Sequence, residues 1–310
     1  MACELRLDDL PDDALKHVFH RLSTNTRRTI SLTNHKWQRL VAESWTIIDV
    51  RLGGTNYLDS ASLQIKWLLS LQLQHLQKLH LNLKGVELSG IAVDYLVGPL
   101  LDVLEQGTFS QLHTFDLAAD MSLPGPLIHD KLQHLHLDMY ALTATIQCPQ
   151  LLTLKVTTTS MPGPTLFSTE ALAVFQRLRT LSLCFQACYL DDSNASWFLL
   201  EGMGILTALQ HVFIMFPGSL ALQLSTVPAF PAELHHLELY IATLSISAEA
   251  LSAVSRIENC LVTCSVLLTG ASNTALATEM VVTDLLKSLG GRFDGSGFQL
   301  QSGKGPFVLA

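Results

Sequence analysis

Charge is scarce in this sequence. Only 15% of its 310 residues are Asp, Glu, Lys or Arg, against about 25% in an ordinary soluble domain. With 48% apolar residues the chain can bury a large core, which excludes disorder over most of its length. Basic charge is scarcer than acidic: 19 Lys and Arg face 27 Asp and Glu, for a formal net charge of −8. General nucleic-acid binders draw most of their affinity from neutralising phosphates, so nucleic acid is not expected as a partner. Long apolar runs are missing too. None approaches the ~18–20 residues of a bilayer crossing, so no membrane association is expected. Cysteine is sparse: the six are Cys3, Cys148, Cys184, Cys188, Cys260 and Cys264, without a Cys-x-x-Cys. No basic start followed by an apolar stretch opens the chain. Together these predict free thiols in a reducing compartment, cytoplasmic and/or nuclear. The sequon Asn194-Ala195-Ser196 is accordingly expected to stay unmodified.

The first fifty residues read as three short helices. Pro11 suits a first helical position, and Asp12 and Asp13 complement the helix dipole. Leu15, Val18, Phe19 and Leu22 follow at i, i+3, i+4 and i+7, one face of a helix. Ser23-Thr24-Asn25 stops that helix and caps a second carrying Ile30. Asn34 caps a third, with Trp37, Leu40 and Val41 on its apolar face. So small a core gains from docking on a partner.

The run from Leu10-Pro11-Asp12-Asp13 through Val18-Phe19-His20-Arg21-Leu22, continued by Ile30 to Leu40 and Ser44-Trp45, resembles an F-box over residues 7–50. The resemblance implies docking on the Skp adaptor of a cullin–RING ubiquitin ligase. It places Leu10, Pro11, Val18, Phe19, Leu22, Leu32 and Trp37 in the core or against the adaptor. Arg27 and Arg28 depart from the family, which has apolar residues there, and Thr33-Asn34 replaces a common Val-Cys pair.

Beyond residue 50 a pattern Leu-x-x-Leu-x-Leu recurs, starting at Leu76, Leu112, Leu132, Leu151, Leu178, Leu209 and Leu234, with Ile48 to Leu52 as a partial first copy. The mean step is about 26 residues and single steps range from 19 to 36. The pattern resembles leucine-rich repeats, whose period is ~20–29 residues. The Asn or Cys that normally follows the strand is missing; Lys84, Asp120, Tyr140, Thr159, Gln186, Pro217 and Ala242 stand there. Irregular loops and a less even strand ladder are therefore expected. Period-2 spacing sends the fourth and sixth positions into the core and the third, fifth and seventh to the opposite face. Return helices are expected at Ser89–Glu105 (kinked or broken at Gly98-Pro99), Thr169–Phe175 (capped by Ser168), Asn194–Leu206 and Ser247–Ile257. The steps of 20 and 19 residues leave room only for extended or 3₁₀ returns. Pro124-Gly125-Pro126 and Met161 to Pro164 mark exposed turns. A last strand is expected over Leu261–Leu268 and a helix over Thr278–Leu289, with residues 293–310 as a capping hairpin or a loose terminus.

The exposed strand face offers candidate partner-binding residues: His80, Asp116, His136, Lys155, Phe213, Met215, Glu238 and Tyr240. A mixed face with aromatics near its end suits a protein partner. His134 and His136 share a face, but no cysteine or carboxylate completes a zinc spacing, so no metal site is expected. The i, i+4 cysteine pairs fall in or near strands and do not favour one either. Gly297 to Gly305 lacks the spacing of a phosphate loop, and no Gly-x-Ser-x-Gly elbow occurs. Some plant F-box receptors of this architecture hold an inositol phosphate among Lys and Arg. Only Lys78 and Lys155 occupy the face columns here, so no cofactor is expected.

The fold expected is α/β: a three-helix F-box at 1–50, an irregular leucine-rich-repeat solenoid at 51–289 with parallel strands on the concave side, and a cap or tail at 290–310. The function expected is a non-catalytic substrate-recognition subunit of an SCF-type ubiquitin ligase. The alternative is a leucine-rich interaction scaffold outside any ligase.

Overall fold

The computed structural model describes residues 10–51, 65–70, 73–85, 90–142, 144–159, 172–186, 201–215, 221–224, 230–246, 257 and 259–268, and the short pieces 292–293, 298–299, 301–302 and 305–306. It opens with α1 (Asp12–His20), α2 (Thr24–Ser31) and α3 (His35–Ser44). Pro11 is the N-cap of α1 rather than its first helical residue. Its carbonyl accepts the first helical hydrogen bond, from the Leu15 amide at 3.0 Å. The expected caps form: Ser23 Oγ accepts from the Thr26 amide at 3.3 Å, and Asn34 Oδ1 from the Trp37 amide at 2.8 Å. Each satisfies an amide that the first helical turn leaves open. Leu15, Phe19, Leu40 and Val41 are buried between the helices, and the Phe19 ring meets Trp37 at 5.9 Å.

All seven repeat motifs fall on strands of one sheet. They are β2 (Lys78–Asn82), β3 (Thr114–Ala119), β5 (His134–Met139), β7 (Thr153–Thr158), β8 (Thr180–Phe185), β9 (His211–Met215) and β11 (His236–Ile246). The partial copy is β1 (Ile47–Arg51), so the sheet starts ahead of the boundary drawn at residue 50. From β1 to β9 and β11 the pairing is parallel, with no shift between equivalent motif positions: Ile48, Leu79, Phe115, Leu135, Leu154, Leu181, Val212 and Leu237 form one row. These residues and the sixth-position row are buried, as are the leading leucines from Leu76 to Leu234. They join the helices in one continuous core.

The ladder is more even than the missing Asn or Cys led us to expect. Ahead of each strand a single carbonyl accepts two amides of the next repeat. Gln77 accepts from His113 and Thr114, His113 from Gln133 and His134, Gln133 from Leu152 and Thr153, and the pattern runs on to Gln210. After the strands, backbone bonds replace the missing side chain: Leu83 to Ala118, Tyr140 to Met121, Thr159 to Tyr140 and Gln186 to Thr158. Asp120 Oδ2 takes the Gly85 amide at 2.7 Å, where Gly85 turns the chain at φ +76°. Among the described strands the register shifts at β11, which carries a bulge against β12 (Asn259–Leu268) between Tyr240 and Thr243. Beyond the bulge β10 (Ala221–Leu224) pairs with the second half of β11.

The described return segments lie outside the main sheet. Helix α4 (Gly90–Glu105) runs unbroken with Pro99 inside, so the expected break at Gly98-Pro99 does not occur. The two short steps are extended, as expected: β4 (Leu127–Ile128) and β6 (Ile146–Gln147) form a second small parallel pair, with α4 packed on β4. Pro124 and Pro126 are exposed beside them. Of Asn194–Leu206, residues 201–205 form a 3₁₀ turn, Glu201–Ile205. The expected turn at 161–164 and the helices at 247–256 and 278–289 lie outside the described residues, as does most of 168–175. The tail forms two antiparallel pairs instead of one hairpin. They are β13 (Arg292–Phe293) with β14 (Phe298–Gln299), and β15 (Gln301–Ser302) with β16 (Gly305–Pro306), the last lying against β12. Among the described residues no helix is long and apolar enough to cross a membrane.

Candidate protein-binding faces

The helical unit divides its named residues between interior and surface. Phe19 is 0% exposed and shapes the unit from within. Leu10, Leu22 and Trp37 are half-buried against the same core. Pro11 is exposed. Val18 is 40% and Leu32 69% exposed, unusual values for apolar side chains in so apolar a chain. Pro11, Val18 and Leu32 are therefore the members of the set most open to contact from outside.

The strand array presents its third, fifth and seventh positions on an open face. At its start this face is a groove of about 380 Å³ lined by Asp49, Arg51, His80, Asn82, Asp116, His136 and Asp138, with Leu81, Leu117 and Ala118. Its carboxylates are paired with nitrogen-bearing side chains. Arg51 meets Asp49 at 3.0 Å, His80 Nδ1 meets Asp116 Oδ2, and Lys84 Nζ meets Asp138 at 2.6 Å. Burial lowers the His136 pKa, helped by Lys155 and opposed by Asp116 and Asp138. Lys155 stands exposed in mid-sheet. Toward the end of the array Phe213 and Tyr240 meet at 5.6 Å, and the rings of His211 and His236 stack at 4.6 Å. Met215 and Glu238 are half-buried beside them. Burial raises the Tyr240 pKa, and the Glu238 carboxylate adds to the rise.

The groove thus brings together three of the named residues, His80, Asp116 and His136. The aromatic end gathers four more: Phe213, Met215, Glu238 and Tyr240. Asp49 and Arg51 were outside the named set; extending the fifth and seventh columns to the partial copy at Ile48 would have found them. Among the described residues no three His, Cys, Asp or Glu side chains are grouped to hold a metal. Cys148 is buried and its thiol is pushed up to about 12, which leaves it inert as a nucleophile.

Comparison with known domain families decides the nature of the helical unit. Residues 7–46 match the F-box domain. No curated protein matches the chain. Among solved structures, an internalin from Listeria monocytogenes is 13% identical over 84% of this chain and 95% of that one. Its TM-score of 0.23 is too low for an argument, so the repeat architecture rests on the strand ladder itself.

The departures from the F-box pattern have structural work to do. Arg27 is 9% exposed, and its guanidinium donates to two carbonyls at the end of α1, Leu22 at 2.9 Å and His20. It also lies over the Trp45 ring at 5.7 Å. Burial lowers the Arg27 pKa, and those two carbonyls and the ring compensate the desolvated charge. Arg28 lies over Trp67, at 5.8 Å, in the helical residues 65–70. Trp67 Nε1 in turn donates to Ser31 Oγ at 3.1 Å, and Trp45 meets Trp67 edge-on at 5.1 Å. Asn34 is the cap of α3. Arg27 ties the F-box together from within, Arg28 fastens it to Trp67 beyond it, and Asn34 starts its third helix.

Proposed function

We propose that this chain is the substrate-recognition subunit of an SCF-type ubiquitin ligase. The F-box would dock on the Skp adaptor, and the open face of the repeat array would hold a protein for modification. The chain itself would perform no chemistry. It would act by raising the effective concentration of its bound partner near the charged conjugating enzyme. The observation that carries this reading is the F-box match at residues 7–46 together with exposed Val18 and Leu32 on that domain. The open, mixed polar and aromatic strand face supports the second half of it. Arg27, Arg28 and Asn34, where the sequence departs from the family and which favour the scaffold alternative, have contacts within the chain that account for them structurally. Co-elution of the purified full chain with a Skp adaptor–cullin assembly in size-exclusion chromatography tests the reading. A single complex is expected. Separate elution of a well-folded chain would transfer the conclusion to the scaffold.

A further inference from the structure

The open face is charged differently at its two ends. At β1–β5 each carboxylate already has a nitrogen-bearing side chain beside it: Asp49 has Arg51, Asp116 has the His80 ring and Asp138 has Lys84. At β9–β11 the face carries one carboxylate, Glu238. Among the described residues no Lys, Arg or His lies within ion-pair distance of it. Glu238 stands opposite Phe213 in the register, on neighbouring parallel strands, and two residues before Tyr240 on the same side of β11. The Phe213 and Tyr240 rings are 5.6 Å apart and inclined at 47°, so together they make a corner rather than a flat stack. Met215 is opposite Tyr240. All four side chains are half-buried, open enough to be reached and sheltered enough to strengthen an electrostatic contact.

An unmatched carboxylate beside two aromatic faces has a definite preference. Ring faces carry negative charge density and attract cations, most of all where water is thinned. A neutral apolar group placed there would desolvate Glu238 without compensation, and an anionic group would be repelled. We infer that the Glu238, Phe213, Tyr240 and Met215 patch binds one cationic side chain, Arg or Lys, of the partner protein. The carboxylate meets its charge, the two rings cover its faces, and the flexible Met215 thioether fits its aliphatic stem. The proposal rests on the reading that the open strand face is where the partner sits, and it adds the chemistry that part of the face selects.

The test is a titration of the full-length chain, labelled with methyl-¹³C methionine, with acetyl-arginine methylamide. Acetyl-citrulline methylamide, which has the same shape without the charge, is the control. The Met215 methyl signal is assigned by its loss in Met215→Leu. We expect that signal to shift saturably with arginine and lysine derivatives and to stay still with citrulline. Glu238→Gln should weaken the arginine response about tenfold. A Met215 signal that does not move, that moves equally with citrulline, or that is unchanged by Glu238→Gln would overturn the proposal. Co-elution with the adaptor assembly is read separately, so a failed cation site leaves the ligase reading in place. A chain that binds arginine but not the adaptor has the reverse meaning.

Discussion

The F-box and the repeat array share one core and are held by different kinds of interaction. The F-box depends on individual side chains. Ser23 and Asn34 cap its helices, Arg27 ties down two carbonyls, and Phe19 fills its centre. The array depends on repetition. Eight strands from β1 to β11 align the same motif positions, and one carbonyl per repeat takes two amides of the next. Single polar substitutions should therefore matter more in the first region. In the array the backbone supplies what the missing Asn or Cys usually does, and only loss of a core leucine should be severe.

The largest expected effect is Phe19→Ala. A fully buried aromatic costs ~3–5 kcal/mol on truncation, so a denaturant titration should show the F-box melting before the array. Leu135→Ala, on the array side, should cost ~2–5 kcal/mol and lower a single transition of the strands. If Phe19→Ala instead lowered one shared transition, the shared core would be stronger than the division described above. Next comes Arg27→Met, which keeps bulk and removes the donors to His20 and Leu22. Unpaired buried carbonyls cost about 1–3 kcal/mol, and loosening of the F-box should appear as faster amide exchange in α1 and α2.

Asn34→Ala should be milder, about 1 kcal/mol for a lost helix cap. Thr159→Ala, near the equivalent point of a repeat, should cost less in the same measurement, because the Thr159 amide also bonds to the Tyr140 carbonyl. The smallest effect concerns pH. His129 is buried behind the array; its Nε2 faces the Phe109 carbonyl at 3.3 Å and its Nδ1 accepts the Lys131 amide at 3.2 Å. Burial lowers its pKa, partly offset by the Phe109 carbonyl. The unfolded chain then takes up a proton first as pH falls below about 6.5. Stability from this group is present in full above that pH and is lost as pH falls through the lowered value. His129→Gln should flatten that acid limb in thermal melts recorded at a series of pH values.

Much of this was legible in sequence because it rests on spacing. Apolar residues three and four apart placed α1 and α3, and the two-residue alternation within each Leu-x-x-Leu-x-Leu placed every strand of the row. The extended returns at β4 and β6 followed from the shortness of two steps. Long-range partners were not legible. Nothing in the local pattern ties Arg27 to the end of α1, or Arg28 to Trp67 nearly forty residues on. Hence, of two residues read as departures from a family, Arg27 is a brace inside the F-box and Arg28 a fastener to the region after it. Burial of Phe19 beside exposure of Val18 was hidden for a similar reason, since adjacent positions on one helical face can fall on either side of its edge. The evenness of the ladder was missed because a backbone bond between successive turns leaves no mark on side-chain identity. On the open face the columns were readable, and the pairing within them was not. Asp116 and Glu238 look alike in sequence, yet among the described residues the first has an imidazole nitrogen beside it and the second has no ion-pair partner.

The account turns on the F-box and the array being separate faces on one body, and two exposed apolar side chains test it. Leu32 is 69% exposed on the F-box and Tyr140 is 59% exposed at the end of β5. Calorimetric titration of a Skp adaptor into the full chain, Leu32→Glu and Tyr140→Ala should give sub-micromolar binding to the first and the last. Leu32→Glu should weaken binding at least about tenfold while its melting temperature stays unchanged. Wild-type affinity in a well-folded Leu32→Glu chain would contradict the account.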